Sequence, residues 1–283
     1  MLYTSIMSIY KSLIKHRLVN RKEIIKIADR TRDNKSAKVF QDTKTKIVFL
    51  KKNLLKKNYY PSVNQIIGKY ALEDASRRLK DFESILKNKD ILDVGFGDGS
   101  FLIKNKISKS KSGVELNIQH LNKMRRYKNI TVYDHIDIKN KTFDVITMFH
   151  VLEHLDNQID YLKKIKLLMK KKSKLIIEVP HAKDYLILEK NTQFLKHTLW
   201  CEHLILHTKK SLEKFFQLAG FTKIKIYNFQ RYNFNNHLNW MVRGKPFGHV
   251  AYKVIKDKEK LKAYNDILIE YDITDTLIAE ISI

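Results

Sequence analysis

The sequence predicts an α/β fold with a largely parallel sheet, and two observations carry this prediction. Short apolar runs alternate with stretches of helical periodicity from residue 90 onward, an order typical of strands joined by crossover helices. The first apolar run ends in a glycine-rich turn, which in such folds lies at the carboxyl edge of the sheet, where ligands bind. A chain of 283 residues can bury a core of this size without disulfides, and Cys201 is its single cysteine.

Seven segments have the length and composition of strands, and three have the apolar spacing of helices. The strands are predicted within DILDVGFGDGSFL (90–102), SGVELN (112–117), NITVYDH (129–135), TFDVITMFH (142–150), KLIIEVP (174–180), TKIKIYNFQRY (222–232) and GHVAYKVI (248–255). The helices are predicted over 63–86, 161–171 and 211–220.

The chain divides into three regions by composition. Residues 1–60 predict a basic, helical N-terminal extension that ends before Pro61. Residues 61–255 contain the alternating strands and helices, interrupted at 181–210 by a segment that we interpret as a lid or binding insertion. Residues 256–283 predict a helix followed by a tail.

The chain is strongly basic, with 55 lysines and arginines against 30 acidic residues and a formal net charge of +25. One interpretation is an acidic partner, such as RNA, a phosphorylated substrate or an anionic surface. The other is a lysine-rich composition spread over ordinary helix faces. No apolar run approaches the roughly 18–20 residues of a membrane span. Together with the single cysteine, this predicts a soluble, cytoplasmic protein.

The stretch ILDVGFGDGS joins the first strand to its glycine-rich turn. Asp93 closes the strand, and Gly95, Gly97 and Gly99 follow at alternate positions. Glycine suits places where the backbone has positive φ or approaches a ligand closely. Ser100 stands where the dinucleotide fingerprint has its third glycine, which argues against NAD.

Glu115 follows Gly95 by twenty positions and closes the second strand. A carboxylate at this place can accept hydrogen bonds from both hydroxyls of a ribose. The glycine turn and the spaced acid together are more specific than either feature alone, and they predict a cofactor that contains ribose.

These residues resemble the class I S-adenosylmethionine-dependent methyltransferases. The resemblance covers roughly Asp90 to Ile255, through the segments LDVGFGDG (92–99), GVELN (113–117), FDVITMFHVLEHL (143–155) and KLIIEVP (174–180). It implies a Rossmann-like sheet of seven strands with only the last strand antiparallel. It also implies S-adenosylmethionine as the cofactor and an acceptor-binding role for the insertion at 181–210.

The resemblance further implies which residues bind the cofactor. The backbone of Gly95–Gly99 would approach its methionine part, and Glu115 would hold its ribose. Leu116 and Ile136 would flank the adenine, and Asp134 would contact the adenine amino group. The implied set is Asp93, Gly95, Phe96, Gly97, Gly99, Glu115, Leu116, Asp134, Ile136 and Phe149.

The stretch FHVLEH (149–154) contains H-x-x-E-H, a string also found in zinc peptidases. The strand before it and the glycine turn upstream argue against a peptidase. Spacing i, i+3, i+4 predicts that His150, Glu153 and His154 share one helix face at the carboxyl edge of the sheet. Three interpretations stay open: a structural role, an acid–base or substrate contact, and a divalent metal site.

The metal interpretation comes from the resemblance. Some ubiquinone-biosynthesis O-methyltransferases and small-RNA 2′-O-methyltransferases have E-x-x-E-H at this place and bind magnesium. Glu153 and His154 match that pattern. His150 replaces the first glutamate, which disfavours magnesium because that ion prefers oxygen ligands.

WCEHLILHT (200–208) resembles the E-H-x-x-x-F-T segment of sugar and small-molecule methyltransferases, with His207 in place of the phenylalanine. Methyl transfer to a hydroxyl requires removal of its proton. His203 is the first candidate for that base, with His154, His150 and Glu153 as further catalytic candidates. Glu202 is assigned to substrate binding.

A second group of candidate acceptor-binding residues lies in FQRYNFNNHLNW (229–240). Its Q-R-Y…N-H…W pattern resembles the methyltransferases of surface-glycan and sugar biosynthesis clusters, which implies a carbohydrate acceptor. Arg231 is predicted to hold a carboxylate or phosphate with two parallel hydrogen bonds. Trp240 is predicted to stack on the face of a sugar, with Asn236 and His237 beside it.

The sequence therefore predicts an S-adenosylmethionine-dependent O-methyltransferase. Its predicted acceptor is small and polar, a hydroxyl of a sugar or of a sugar-derived acid, including nucleotide-linked forms. Two alternatives stay open: an RNA methyltransferase, favoured by the net charge, and a non-catalytic member of the fold that binds the cofactor.

Overall fold

The computed structural model describes residues 8–55 and 71–283. The predicted break at Pro61 and the first part of the helix predicted over 63–86 lie outside those residues. The strands of the described part are β1 (Ile24–Ala28), β2 (Val39–Asp42), β3 (Val48–Leu50), β4 (Asp90–Val94), β5 (Ser110–Val114), β6 (Thr131–Tyr133), β7 (Phe143–Phe149), β8 (Met169–Pro180), β9 (Ile205–Leu206), β10 (Lys223–Phe229) and β11 (Thr276–Ser282).

Helices lie between the strands and at both ends of the described chain. They are α1 (Ile9–Lys15), α2 (Ala71–Asp81), α3 (Glu83–Leu86), α4 (Ser100–Lys104), α5 (Ile118–Met124), α6 (Gln158–Leu167), α7 (Tyr185–Leu188), α8 (Thr192–Thr198), α9 (Lys209–Leu218), α10 (Phe234–Arg243), α11 (Gly248–Ala251) and α12 (Lys258–Glu270). Among these described helices, none has both the length and the apolar composition that crossing a bilayer requires.

The main sheet has seven strands in the order β10–β11–β8–β7–β4–β5–β6. The strands from β8 to β6 pair in parallel, whereas β11 is antiparallel to both β8 and β10. The predicted α/β, Rossmann-like fold with a mostly parallel sheet of seven strands is therefore confirmed, and so is the antiparallel last strand.

The position of that last strand was predicted wrongly. Residues 248–255 contain the short helix α11 instead of a strand, and they leave the side chains of Val250 and Val254 exposed. The last strand is β11, which lies within the predicted tail and pairs over its whole length with both neighbours. Its sequence TLIAEIS is a nearly continuous apolar run, as expected of a strand buried on both faces.

The predicted helical character of residues 1–60 is also wrong for part of the described chain. Strands β1, β2 and β3 form an antiparallel sheet, which β9 from the insertion completes as the fourth strand. Asp42 shapes the turn between β2 and β3, because its carboxylate accepts hydrogen bonds from the backbone N–H groups of Lys44 and Thr45 at 3.0 and 2.8 Å. The β-branched and aromatic run Ile47–Leu50 favours a strand after such a turn.

The small sheet and the insertion share one hydrophobic core with the main sheet. Phe49 of β3 is 1% exposed and stacks on Tyr10 of α1, with ring centroids 5.5 Å apart. The pairing of Phe49 with Ile205 joins the N-terminal segment directly to residues 181–210. Residues 8–55 therefore help to fix the shape of the insertion.

His207 holds the end of the insertion to the main domain. Its ring is fully buried, with Nε2 2.8 Å from Gln158 Oε1 and Nδ1 3.0 Å from Ser211 Oγ. Burial lowers the pKa of His207 to about 3. The neutral ring therefore bridges the first turn of α6 and the first turn of α9.

This burial predicts a pH dependence of folding stability. The unfolded chain takes up the His207 proton first as the pH falls, because its pKa there is near the ordinary 6.5. The contribution of the neutral ring is therefore present above about pH 6.5 and is lost progressively toward pH 3. Urea unfolding measured between pH 8 and pH 4 should show a shallower loss of stability for His207→Gln than for the wild-type chain.

The exposed Asn129 provides a control that changes no titratable group. Asn129→Ala should leave the pH dependence of the unfolding free energy as in the wild type. If the unfolding free energy of His207→Gln falls with pH as steeply as that of the wild type, the buried ring of His207 does not contribute to the pH dependence.

Candidate active site

A cavity of about 440 Å³ lies at the carboxyl edge of the main sheet, over the turn that follows β4. Gly95 and Gly97 have φ of +72° and +55°. A Cβ on Gly95 would lie 2.4 Å from Val151 Cγ2, whereas a Cβ on Gly97 would meet no atom within 4 Å. The turn therefore packs against the protein at Gly95 and is open at Gly97. The lining comprises Val94, Gly95, Gly97, Val114, Glu115, Leu116, His135, Ile136, Asp137, Phe149, His150, Val151, His154, Leu155, Tyr161 and Glu202.

Glu115 braces the glycine turn from the end of β5. Its Oε2 accepts a hydrogen bond from the backbone N–H of Gly97 at 2.8 Å. Its Oε1 accepts from the N–H groups of Leu116 and Asn117 at 2.7 and 2.9 Å. A carboxylate has about four acceptor sites. The three backbone bonds therefore orient the side chain and leave acceptor capacity toward the cavity.

Six of the predicted cofactor-binding residues line this cavity, and four do not. The six are Gly95, Gly97, Glu115, Leu116, Ile136 and Phe149. Buried Asp93 accepts a hydrogen bond from Thr147 Oγ1 at 2.7 Å beneath the turn, and burial raises its pKa to about 7. Phe96 and Gly99 pack against the protein interior, close to Gly113 and Met124 respectively. Asp134 is exposed and contacts His135 Nδ1 at 2.6 Å. His135, and not Asp134, lines the cavity.

The stretch FHVLEH does not form the predicted α-helix. His150 has φ +56°, and Leu152–His154 form a single 3₁₀ turn before α6 begins at Gln158. The prediction that His150, Glu153 and His154 share one helix face is therefore wrong. The three side chains still converge, because the left-handed conformation of His150, which is rare outside glycine, turns its ring toward Glu153.

His150 lies between two buried carboxylates. Its Nδ1 is 3.3 Å from Glu153 Oε1, and its Nε2 is 3.2 Å from Glu178 Oε1. Burial alone would lower the pKa of His150, but its contacts with Glu153 and Glu178 raise it above the ordinary value. His150 is thus held toward its protonated form.

Glu178 closes the network from the carboxyl end of β8 with no exposed surface. Arg77 Nη2 donates to its Oε2 at 2.8 Å, and Arg78 Nη2 donates to its Oε1 at 2.7 Å. Burial opposes ionisation of Glu178, but Arg78 and His150 hold its pKa well below the usual range.

Glu153, His154 and His203 form a second cluster, with one potential ligand atom from each within 4.8 Å of the others. Glu153 is fully buried, and although burial opposes its ionisation, His150 and His154 lower its pKa to about 2. His154 Nδ1 donates to the carbonyl oxygen of Glu202 at 3.1 Å, which directs Nε2 toward Glu153 Oε1 at 3.9 Å. Burial and the neighbouring His154 lower the pKa of His203 to about 3.

The donor chemistry of this cluster fits a transition metal better than magnesium. Within the described residues, buried Glu153 Oε2 and His203 Nδ1 have no hydrogen-bond partner. His154 has the arrangement common in metal-binding histidines, with the other ring nitrogen bonded to a backbone carbonyl. One carboxylate and two imidazoles suit Zn²⁺ or Mn²⁺, whereas Mg²⁺ prefers oxygen ligands.

A second cavity, of about 270 Å³, adjoins the first. His150 lines both cavities, and His203 lines the second. We refer to the second as the acceptor-side cavity. Its other lining residues are Pro180, His181, Asp184, Leu186, Ile187, Phe194, His197, Thr198, Trp200, Leu206, Arg231, Tyr232, Asn236, His237, Trp240, Pro246, Phe247, Asp275 and Thr276.

The four residues assigned from 229–240 all line the acceptor-side cavity, but protein contacts engage each of them. Arg231 donates from Nε to Asp74 Oδ1 at 3.1 Å and forms an ion pair with Asp74 through Nη2. Trp240 is 3% exposed and packs edge-on against Phe194. Asn236 Oδ1 accepts from Gly248 N at 3.3 Å, and His237 Nδ1 lies 2.8 Å from the hydroxyl of Tyr264. Of the predicted substrate residues, Glu202 instead lines the first cavity.

Several lining residues gave no signal in the sequence. Val151 and Tyr161 border the first cavity, and His181, Asp184 and Asp275 border the second. Asp275 comes directly before β11. Because the last strand was predicted at 248–255, Asp275 was not expected to lie at the edge of the sheet. The histidines of the insertion pointed to a binding segment without showing which rings face the cavity.

Comparison with known proteins identifies the family. The profile described as a methyltransferase domain matches residues 67–226, which is more than half of the chain. An uncharacterised protein of Methanocaldococcus jannaschii is 31% identical over 172 residues, covering 58% of this chain and 68% of that protein.

Solved structures show the same fold. An S-adenosylmethionine-dependent methyltransferase of Thermotoga maritima is similar with a TM-score of 0.51 and 17% identity, over 75% of this chain and 91% of that one. One from Archaeoglobus fulgidus has a TM-score of 0.51 and 20% identity, over 75% and 95%. The matched profile, the sheet order and the glycine turn braced by Glu115 agree, and the chain belongs to the methyltransferase domain family, with S-adenosylmethionine as its cofactor.

Proposed function

We propose that this methyltransferase transfers the methyl group of S-adenosylmethionine to a hydroxyl of a small polar acceptor. The proposed acceptor is a sugar or a sugar-derived acid, including nucleotide-linked forms, as in glycan biosynthesis. The observation that carries the proposal is that His150 lines both cavities. We refer to the first cavity as the cofactor cavity. An acceptor in the acceptor-side cavity would thus lie directly beside it.

The residues around the first cavity fit the cofactor. Open space at Gly97 admits a ligand against the turn, and the braced carboxylate of Glu115 can accept from a ribose. When bound, S-adenosylmethionine supplies an electrophilic methyl group on a sulfonium sulfur. The protein then has to hold the acceptor oxygen in line and remove its proton, and positioning contributes most to such a transfer.

The acceptor-side cavity suits a small, largely uncharged group. Its volume is close to the lower end of the range for small-molecule pockets. Burial lowers the pKa of His181 and of His237 to about 4, so both rings are neutral near pH 7. Aromatic side chains such as Trp200 and Tyr232 offer apolar faces beside these polar rings. A sugar presents the same combination of apolar ring faces and hydroxyl groups.

His203 is the proposed proton acceptor. His203 lines the acceptor-side cavity, and its Nδ1 has no hydrogen-bond partner within the described residues. Burial lowers its pKa to about 3, so the ring is neutral near pH 7 and can accept a proton. His150 is less suited to this role, because Glu153 and Glu178 hold it toward its protonated form. A positioned histidine base contributes about 10²–10⁴-fold to such transfers.

A second arrangement is favoured by the convergence of Glu153, His154 and His203. These three residues would hold a divalent ion, which would make the acceptor hydroxyl more acidic. His203 would then be a ligand and not the base.

The RNA alternative rests on net charge alone, and turnover of the cofactor with any acceptor would remove the non-catalytic alternative.

Glu115→Gln should weaken cofactor binding at least ~10-fold, or about 1.4 kcal/mol. The amide cannot accept all three backbone hydrogen bonds that orient the carboxylate. Titration calorimetry with S-adenosylmethionine and S-adenosylhomocysteine measures the change. The exposed Glu213 on α9 provides the matched control, since Glu213→Gln removes the same charge far from the turn. Unchanged affinity in Glu115→Gln would contradict the role assigned to Glu115.

His203→Asn should lower kcat by about 10²–10⁴-fold with cofactor affinity within a few-fold of the wild type. Release of S-adenosylhomocysteine over a panel of sugars and uronic acids gives the rate. His16→Asn, at the end of α1, is the control and should keep the wild-type rate. A loss of cofactor binding in His203→Asn would indicate a structural role, and an unchanged kcat would remove His203 from the chemistry.

Chelation separates the two arrangements. If His203 acts as the base, EDTA-treated protein should keep its methylation rate, and this is the result we expect. A loss of activity that Zn²⁺ or Mn²⁺ restores, and Mg²⁺ does not, would instead support the Glu153–His154–His203 ion site. In that case Glu153→Gln should abolish Zn²⁺ binding measured by calorimetry.

A further inference from the structure

Residues 8–55 lie outside the segment matched by the family profile, yet one of their loops contacts residues that line the acceptor-side cavity. In the loop between β1 and β2, the backbone N–H of Arg32 donates to the carbonyl oxygen of Leu199 at 2.7 Å. The carboxylate of Asp33 accepts from Cys201 N at 2.9 Å and from Cys201 Sγ at 2.8 Å. These bonds fix the loop to the insertion on both sides of Trp200.

The side chain of Arg32 stacks on residues that line the cavity. Its Cζ lies 4.4 Å from the ring centroid of Trp200, and its Nη1 lies 3.2 Å from Nδ1 of His197. Trp200 and His197 both belong to the cavity lining. A guanidinium that stacks through its face keeps N–H groups at its edge for a planar anion.

The charge of Arg32 is not neutralised by the protein. None of the ion pairs found in residues 8–55 and 71–283 includes Arg32. Arg231, which lines the same cavity, is by contrast paired with Asp74. The side chain of Arg32 is exposed, so it can meet a ligand that enters from solvent.

The deeper part of the cavity offers little charge of its own to an anion. Burial raises the pKa of Asp184 to about 8, so this carboxyl is mainly protonated at neutral pH. Asp275 is bonded to the backbone N–H groups of Arg231 and Tyr232, both at 3.0 Å. The charged groups of the lining, such as His150 and Arg231, are therefore paired within the protein, whereas the cation of Arg32, unpaired among the described residues, lies against the lining residues Trp200 and His197.

We propose that Arg32 binds an anionic group of the acceptor, a carboxylate or a phosphate, while the neutral part of the acceptor enters the cavity. Residues 8–55 then act as the acceptor-recognition element of this enzyme. The proposal rests on the proposed function and narrows its substrate class to sugar acids or sugar phosphates. Bidentate hydrogen bonding from a guanidinium suits both groups.

The two tryptophans of the chain, Trp200 and Trp240, both line the acceptor-side cavity, so intrinsic fluorescence reports its occupancy. Protein saturated with S-adenosylhomocysteine is titrated with glucose, glucuronate and glucose 1-phosphate. At least one anionic probe should bind ~10-fold or more tightly than glucose, and the stronger of the two distinguishes carboxylate from phosphate. Arg32→Gln should abolish this preference, and Arg32→Lys should retain part of it.

Arg21→Gln is the matched control, because Arg21 is exposed on the same N-terminal segment. Unlike Arg32, it makes no hydrogen bond or cation–π contact with Trp200 or His197 within the described residues. It should keep the wild-type preference, and thermal unfolding checks that each variant folds. The proposal is overturned if the wild type binds glucose as tightly as both anions, or if Arg32→Gln keeps the full preference. Failure of S-adenosylhomocysteine to bind would count against the proposed function instead, and the probe titrations without it still test Arg32.

Discussion

The buried carboxylate of Glu178 is the constraint on which the active-site edge depends. A charge without exposed surface is stable only when cations and hydrogen-bond donors surround it. Arg77 and Arg78 of α2 supply two cations, and His150 after β7 supplies the third. Glu178 thereby joins helix α2, the loop after β7 and the end of β8. His150 in turn orients Glu153, so the same network sets the position of the second carboxylate.

The cofactor side of the site could be read from the sequence, because local features determine it. A positive φ favours glycine, and the end of a parallel strand brings the following residues to the carboxyl edge. Gly95, Gly97 and Glu115 are of this kind, and all three line the cofactor cavity. Asp93 and Phe96 belong to the same stretch but face the interior, where Asp93 bonds to Thr147 and Phe96 packs close to Gly113.

The acceptor side could not be read in the same way, since long-range pairings form it. The small sheet of β1, β2 and β3 receives its fourth strand from β9, which lies more than 150 residues later in the chain. The contact between Arg32 and Trp200 leaves no pattern in either segment. The sequence gives no sign that Arg231 has a protein partner, because Asp74, with which it forms an ion pair, also lies more than 150 residues away along the chain. The sequence therefore identified 181–210 and 229–240 as segments that line the acceptor-side cavity, and the packing of distant segments decides what each residue contacts.

The position of β11 inside the sheet, one strand from its edge, has a consequence for biosynthesis. This strand is translated after every other strand of the main sheet, yet it lies between β8 and β10. Until it emerges from the ribosome, β8 and β10 present unpaired edges, and Asp275 has not yet met the backbone of Arg231 and Tyr232. The nascent chain can form the cofactor half of the sheet first, because β4 to β8 pair among themselves. The part of the acceptor-side cavity that Asp275 and Thr276 line is thus completed after the strands β4 to β8, and until then the open edges can pair with other strands.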